Sequence, residues 1–362
     1  MSAVRVLGLA AACLAASPAF ALEQGEYRFN GFGTVGITHL GGEDDGRAYG
    51  IQGQTNDSWR GDQLSKLGGQ FQYGLTDKLG LTAQVIAKAE QDNWKANLEW
   101  LYLSYQVDDR LVVRAGRLRN PVYMYSETLD VGFTYPWLRL PDEVYHQVQI
   151  TNYEGADFVY TLPLSFGSLS LQANGGQAVN RNFFVYDQLR DMDYKKVAGA
   201  NAALATNSFG TFRVGYSESS LSLDGFIEDR KGKFTSLGYQ FDNGTWITAN
   251  EATRLVVEGA TSTKDAFYLM GGRRFGDFLA HVTYAQMDES NAGGQSSWTY
   301  GLNYSLTPTV TLKGEYKRVD TYDQGKGVFV KSFDELVSEA FGVTTPRTFD
   351  GDIVSVGVDF VF

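Results

Sequence analysis

Along most of the chain, apolar residues fall on every second position. In the stretch from Leu79 to Lys88, Leu79, Leu81, Ala83, Val85 and Ala87 are apolar, whereas Thr82, Gln84 and Lys88 take the other parity. Further on, Trp298, Tyr300, Leu302, Tyr304 and Leu306 alternate with Thr299, Asn303 and Ser305, and Val310, Leu312, Gly314 and Tyr316 alternate with Thr311, Lys313, Glu315 and Lys317. The last segment puts Val354, Val356, Val358, Phe360 and Phe362 on one face. A period of two is that of a β-strand, whose successive side chains point to opposite faces.

A soluble sandwich alternates in the same way, because each sheet buries one face and wets the other. Length and rhythm separate the two. The segments run about 9–13 residues, which a tilted strand needs to cross a bilayer, against about 5–6 for strands of soluble proteins. Aromatic residues on the apolar parity sit near segment ends, as at Tyr73, Tyr239, Phe241 and Tyr304, where they would form interfacial girdles.

The connections come in two alternating sizes. Short turns are predicted at Thr76–Lys78, Asp108–Arg110, Pro163–Phe166, Asn207–Ser208, Asp242–Gly244, Gly276–Asp277 and Thr307–Thr309, with Asn243-Gly244 the clearest hairpin signal. Mostly longer polar links are predicted near 41–64, 92–96, 120–151, 179–193, 224–231, 259–263, 289–295 and 320–350. Together they imply an all-β, antiparallel transmembrane barrel of about sixteen strands with both termini on the short-turn, periplasmic side. A barrel of this size is no longer filled by its own wall side chains and encloses water. Its polar parity, including Lys66, Gln70, Gln72, Gln84, Lys88, Glu90, Arg213, His281, Lys313 and Glu315, would line that water.

Composition supports this picture. The chain has 41 Gly, 21 Tyr and 23 Phe against 7 Pro, a bias toward strands and tight turns. Its beginning is different: Arg5, an apolar run from Val6 to Ala16 and the triplet Ala19-Phe20-Ala21 read as a cleaved signal peptide over residues 1–21, leaving one barrel domain over 22–362. The apolar run is shorter than the ~17–25 residues that span a bilayer as a helix. Cys13, the only cysteine, falls in that leader, so disulfides and thiol chemistry are not expected of the rest. The formal net charge of −11, one unit more acidic without Arg5, argues against nucleic acid as a partner and suits a mildly cation-preferring pore.

The link over 120–150 is unusual. Pro121, Tyr123, Met124, Tyr125, Phe133, Tyr135, Pro136, Trp137, Leu138, Leu140 and Tyr145 make it too apolar to stand in solvent, and the barrel interior is the cavity that would receive it. Folded inward, it would present Glu127, Asp130, Arg139, Asp142 and Glu143 at a constriction beside Arg114, Arg117 and Arg119 of the preceding strand. Such charges either set a transverse field across the eyelet or anchor the loop. Strand parity makes Arg114 lumenal and turns Arg117 and Arg119 outward, unless Gly116 marks a bulge that switches the face.

Other signals are weaker. Ser332 with Glu335 reads as a capping box, with Phe333, Leu336, Val337 and Ala340 at helical spacing and Gly342 as terminator. Glu43-Asp44-Asp45 and Asp288-Glu289 with Asn291 fit no defined calcium loop. His39, His146 and His281 lie on separate segments and form no metal-ligand pair, and no nucleophile elbow or phosphate loop is found, so no catalytic residue, metal or cofactor is called for.

The opening Phe29-Asn-Gly-Phe-Gly-Thr-Val-Gly-Ile37, the strand Arg114-Ala-Gly-Arg-Leu-Arg119 ahead of a long third loop, and the terminal Phe362 resemble the general porin superfamily of Gram-negative outer membranes. The segment Ser126–Trp137 looks like that of a less characterised porin-like branch. The resemblance implies a homotrimer in lipid and lipopolysaccharide, a third loop that constricts the pore, small hydrophilic solutes as cargo, and Phe362 as the signal read by the barrel-assembly machinery. A sugar- or anion-specific channel of the same fold is the alternative function, and an outer-membrane barrel enzyme is the alternative of a different class.

Overall fold

The computed structural model describes residues 22–362 apart from 45, 51, 52, 54, 91, 92, 186 and 260–262, so the expected signal peptide lies outside the described residues. The strands are β1 (Tyr27–Gly41), β2 (Lys66–Gly74), β3 (Leu79–Glu90), β4 (Asn93–Gln106), β5 (Leu111–Arg119), β6 (Asn152–Leu164), β7 (Gly167–Val185) and β8 (Gln188–Thr206). They continue as β9 (Gly210–Leu223), β10 (Ile227–Asp242), β11 (Trp246–Val257), β12 (Thr263–Phe275), β13 (Phe278–Glu289), β14 (Gly293–Thr307), β15 (Val310–Tyr322) and β16 (Asp350–Val361). Among the described residues these sixteen strands pair antiparallel with their chain neighbours, and β1 closes the barrel on β16 with Val35 opposite Val358. Closure satisfies every edge, as a barrel in lipid requires, because an unpaired backbone group there costs several kcal/mol.

The alternation resolves into an outward apolar face and an inward polar one. Leu237, Leu269, Leu302 and Val356 point out and are more than half exposed, as lipid-facing residues are in a chain stripped of its membrane. Trp246, Phe275, Phe278, Tyr300 and Phe362 stand among them.

The links differ from the expectation. Among the described residues only those after β1, β5 and β15 are long; the regions expected as loops at 92–96, 179–193, 224–231 and 289–295 belong largely to strands that run on and are joined by a few residues each, whereas 259–263 falls between β11 and β12 as expected. β7 and β8 have 19 residues each, beyond the expected segment length. The reason is physical: past the membrane both faces of a strand meet polar surroundings, so the alternation that marks a strand fades while its ladder of hydrogen bonds continues.

The links after β1 and β15 meet over one side of the mouth. Tyr49 bridges to Phe329, and Arg47 pairs with Glu335 at 2.7 Å. Glu335 belongs to the helix Phe333–Ala340, which has the expected Ser332 capping box. Asp44 of the acidic stretch is bound to Arg347.

Candidate functional site in the barrel lumen

At Arg119 the chain leaves the wall, and the Asn120 N–H donates to the Thr151 carbonyl (2.9 Å) at the root of the departing segment. That segment has little regular structure of its own: two 3-10 turns, Ser126–Thr128 and Gly132–Thr134, and one helical turn, Asp142–Tyr145. Its backbone groups therefore need outside partners, and the inward parity of the wall supplies them. Glu251 accepts from the Met124 N–H (2.8 Å) and Glu315 from the Leu138 N–H (2.7 Å). The Lys313 ammonium donates to the carbonyls of Gly132 (2.8 Å), Tyr135 (2.6 Å) and Trp137 (3.0 Å). Asn303 donates to Pro136, and Ser236 and Arg213 to Val122.

Between these polar pins lies an apolar core. Trp137 is fully buried, donates its indole N–H to Thr283 (2.8 Å) and meets Tyr268 edge-on at 5.4 Å. Tyr123 stacks obliquely on Tyr145 (4.6 Å) and edge-on to Phe234 (5.2 Å). Gly132 sits so close to the wall that a Cβ there would collide with the Asp359 carboxylate. The third loop thus packs against the inward faces of β10–β16 and β1 and occupies that side of the lumen.

The charges of the loop are mostly taken up by the same contacts. Asp130 pairs with Arg119 (2.8 Å) and Lys88 (3.3 Å), and Glu99 with the same two cations at 3.4 and 3.8 Å. Burial alone would raise the Asp130 carboxyl, but Lys88, Arg119 and Lys66 outweigh it and hold it well below the usual carboxylate range. Lys317 bridges Asp142 (3.0 Å) and Glu143 (3.3 Å), and Asp142 is likewise held low, burial being overcome by Lys317 and Arg139. Arg139 donates to Thr38, Thr55 and Gln63 and so fixes the loop to β1 and the first link. Arg114 forks onto Asp157 and reaches Glu127 at 3.5 Å.

Several expected positions shift. Arg117, a candidate for the constriction, points outward as strand parity has it, opposite the lipid-facing Leu101, and pairs with Glu154 at 2.6 Å. Arg119 nevertheless turns inward and is buried, because β5 ends there and the chain bends into the lumen. Gly116 has φ +138°, but the pairing of β5 with both neighbours stays in register through it, so it is not a bulge. The bulge is on β4, where Gln84 faces Trp100 and Val85 faces Leu98, leaving Glu99 as the extra residue that joins Trp100 in the interior. Lys313 and Glu315 face inward but lie buried beneath the loop rather than lining water. Glu90, at the top of β3, accepts from Lys95 (3.0 Å) and Asn97 (2.8 Å).

Solvent reaches the opposite sector. Lys66, Gln70, Lys88, Arg114, Gln172, Asn174 and Asn201 of β2–β8 face inward and stay partly exposed, as does Glu127, the one loop acid with a third of its side chain open. A polar ladder runs along this wall: Asn201 donates to Gln172 (2.9 Å) and Gln172 to Asp157 (2.8 Å). Sequence reasoning misses Glu99, Asp157, Glu251 and Asp359. The last three stand on the inward parity of their strands, Asp157 opposite Arg114, Glu251 opposite Tyr268 and Asp359 opposite Thr34, a signal available in the alternation; Glu99 is hidden by the bulge.

A closed barrel with a lipid-facing belt, a loop folded against one inner wall and a polar sector left open to water defines a membrane channel. A family model described as Gram-negative porin matches residues 8–324, and the chain belongs to that family. It is an outer-membrane protein. The anion-selective porin from Comamonas acidovorans superposes with a TM-score of 0.61 at 14% identity, covering 94% of this chain and 100% of that one. The outer membrane channel DcaP of Acinetobacter baumannii gives 0.60 at 12% identity, covering 94% and 98%. OmpT of Vibrio cholerae, solved in a trimer form, gives 0.57 at 12% identity, covering 94% and 100%. No curated protein matches by sequence.

Proposed function

We propose that the chain is a passive diffusion channel for small hydrophilic solutes and ions, assembled as a homotrimer in lipid and lipopolysaccharide. The observation that carries this reading is the asymmetry of the lumen: the third loop is pinned to β10–β16, and the sector lined by Lys66, Lys88, Arg114, Glu127, Gln172 and Asn201 keeps contact with water. The trimer is supported by the trimer form of the Vibrio cholerae OmpT. Phe362 is proposed as the residue read during barrel assembly; it is exposed at the end of β16.

Ion preference in this reading is weak and cationic, but the loop acids are not its source. Asp130, Asp142 and Glu143 are neutralised by buried cations, so only Glu127 and the overall acidic balance remain to favour cations. The alternative, an anion-specific channel, is favoured by the solvent access of Lys66, Lys88 and Arg114 and by the anion selectivity of the Comamonas acidovorans relative. Reversal potentials across a potassium chloride gradient in planar bilayers decide between them. A small potential of cationic sign that Glu127→Gln abolishes supports the first reading; a strong anionic potential supports the second.

A further inference from the structure

β7 and β8 share an irregularity at one level. The pairing of β7 with β8 shifts register between Gly176 and Ala178 and again between Ala178 and Arg181, and the pairing of β8 with β9 shifts between Lys195 and Ala198. Asn180 (φ 52°) and Lys196 (φ 54°) lie there in the left-handed region. Bulges bend a strand and sharpen its twist, and two of them side by side bend the whole hairpin.

Beyond the bend the hairpin makes contacts that a strand standing upright in the wall could not reach. Asn182 donates to the Glu90 carboxylate of β3 at 2.9 Å, although β4, β5 and β6 stand between β7 and β3 in the sheet. Gln149, near the end of the third loop, accepts from the Phe184 N–H (3.0 Å) and donates to the Phe184 carbonyl (3.2 Å). The Phe184 ring comes up against Gly53 of the link after β1. Neighbouring strands are about 4.7–4.9 Å apart, so a contact that skips three of them closes over the shorter β5 and β6, whose pairing with β4 and β7 ends at Arg117 and Glu154. It crosses the sector from β3 to β7, beneath which the solvent-reached side chains Lys88, Arg114 and Gln172 lie.

We propose that the β7–β8 hairpin, together with the Ser220–Leu223 end of β9 that stays paired to it, is a hinged lid over the extracellular mouth, bending at Gly176–Arg181 and Lys195–Ala198 and latched by Asn182 on Glu90 and Phe184 on Gln149. The inference rests on the channel reading. The underside of the lid is apolar, with Phe183, Val185 and Tyr194 in one cluster with Leu118, Tyr153 and Leu221. The latch is polar: Glu90 also holds Lys95 and Asn97, so an opening lid leaves this carboxylate with partners on its own hairpin. Arg181 pairs with Glu154 of β6 at 2.6 Å but lies within the hinge itself, so it stays on the wall, and the lid opens by releasing only polar contacts and its apolar underside; closed, it narrows the path at a second level above the third loop.

The test is a Glu90→Cys/Asn182→Cys pair in a Cys13→Ser background, bridged by a short bis-methanethiosulfonate linker that dithiothreitol cleaves, with single-channel conductance in planar bilayers as the readout. Linking should cut the conductance roughly by half or more, and dithiothreitol should restore it. Failure of the linker to join the two thiols in the folded barrel, or equal conductance before and after cleavage, would overturn the lid. In parallel, Asn182→Ala should lengthen the open periods; unchanged open times count against the latch. A wild-type protein that never conducts defeats the channel reading itself, a result distinct from either of these.

Discussion

The Lys313 ammonium lies 2.6 Å from the Asp359 carboxylate, and both side chains are buried between the barrel wall and the third loop. The same ammonium holds three loop carbonyls, so one wall residue links the charge of β16 to the backbone of the third loop. Replacing Lys313 by Met leaves Asp359 as an unpaired buried charge, a change that costs about 3–5 kcal/mol in comparable settings. Lys313→Met should unfold at lower urea, measured by loss of heat-modifiable gel mobility, and its single-channel current should be noisier as the loop loosens. Lys313→Met/Asp359→Asn should recover part of the stability, because the stranded charge is gone.

The two faces of β14 give a contrast in folding. Leu302 is outward and half exposed, so Leu302→Arg should cost ~2–4 kcal/mol near the bilayer midplane. Its neighbour Asn303, which alternation alone makes a water-lining site where Arg is tolerated, donates instead to Pro136 (2.8 Å) beneath the loop. Asn303→Arg should therefore also reduce folding yield, whereas Gln172→Arg, on the open sector, should fold normally and lower conductance. Refolding yield into detergent micelles, with conductance of the folded fraction, checks all three.

Acid should loosen the third loop in two stages. Burial, reinforced by Lys326 and Lys264, lowers the His146 imidazole to about 3. The unfolded chain takes up this proton near pH 6.5 and the folded one does not, so stability falls as pH drops from about 6.5 toward 3. Asp130 is held low by its cations, and its stabilisation is fully present above about pH 4 and lost only in stronger acid. Urea midpoints measured from pH 8 to 3 should decline below about pH 6.5, and His146→Gln should flatten that first stage while leaving the decline below about pH 4.

Much of this architecture is legible in the order of the amino acids. The period of two marks the strands and their inward and outward faces, because a lipid belt demands strict alternation. It also marks Arg114 as lumenal, and the apolar, aromatic composition of the 120–150 link marks it as an inward loop. What escapes has local causes. The Glu99 bulge shifts parity by one residue without any glycine or proline to announce it, and Arg119 turns inward because the strand stops, which no periodicity records. The extended β7 and β8 read as loops, since above the membrane their alternation carries no information. The pairing of Asp130, Asp142 and Glu143 with cations from β3, β5 and β15 depends on contacts between distant segments, so an acidic loop reads as a cation filter when most of its charge is internal.

The most direct test of the account is single-channel conductance of Gln172→Cys in planar bilayers before and after a positively charged methanethiosulfonate reagent, with Ser297→Cys, buried under the third loop, as the comparison. The account predicts a stepwise fall in current at Gln172→Cys and none at Ser297→Cys, because solutes pass along the sector that the loop leaves open. A fall at Ser297→Cys alone, or a correctly folded barrel with no current at all, would contradict it.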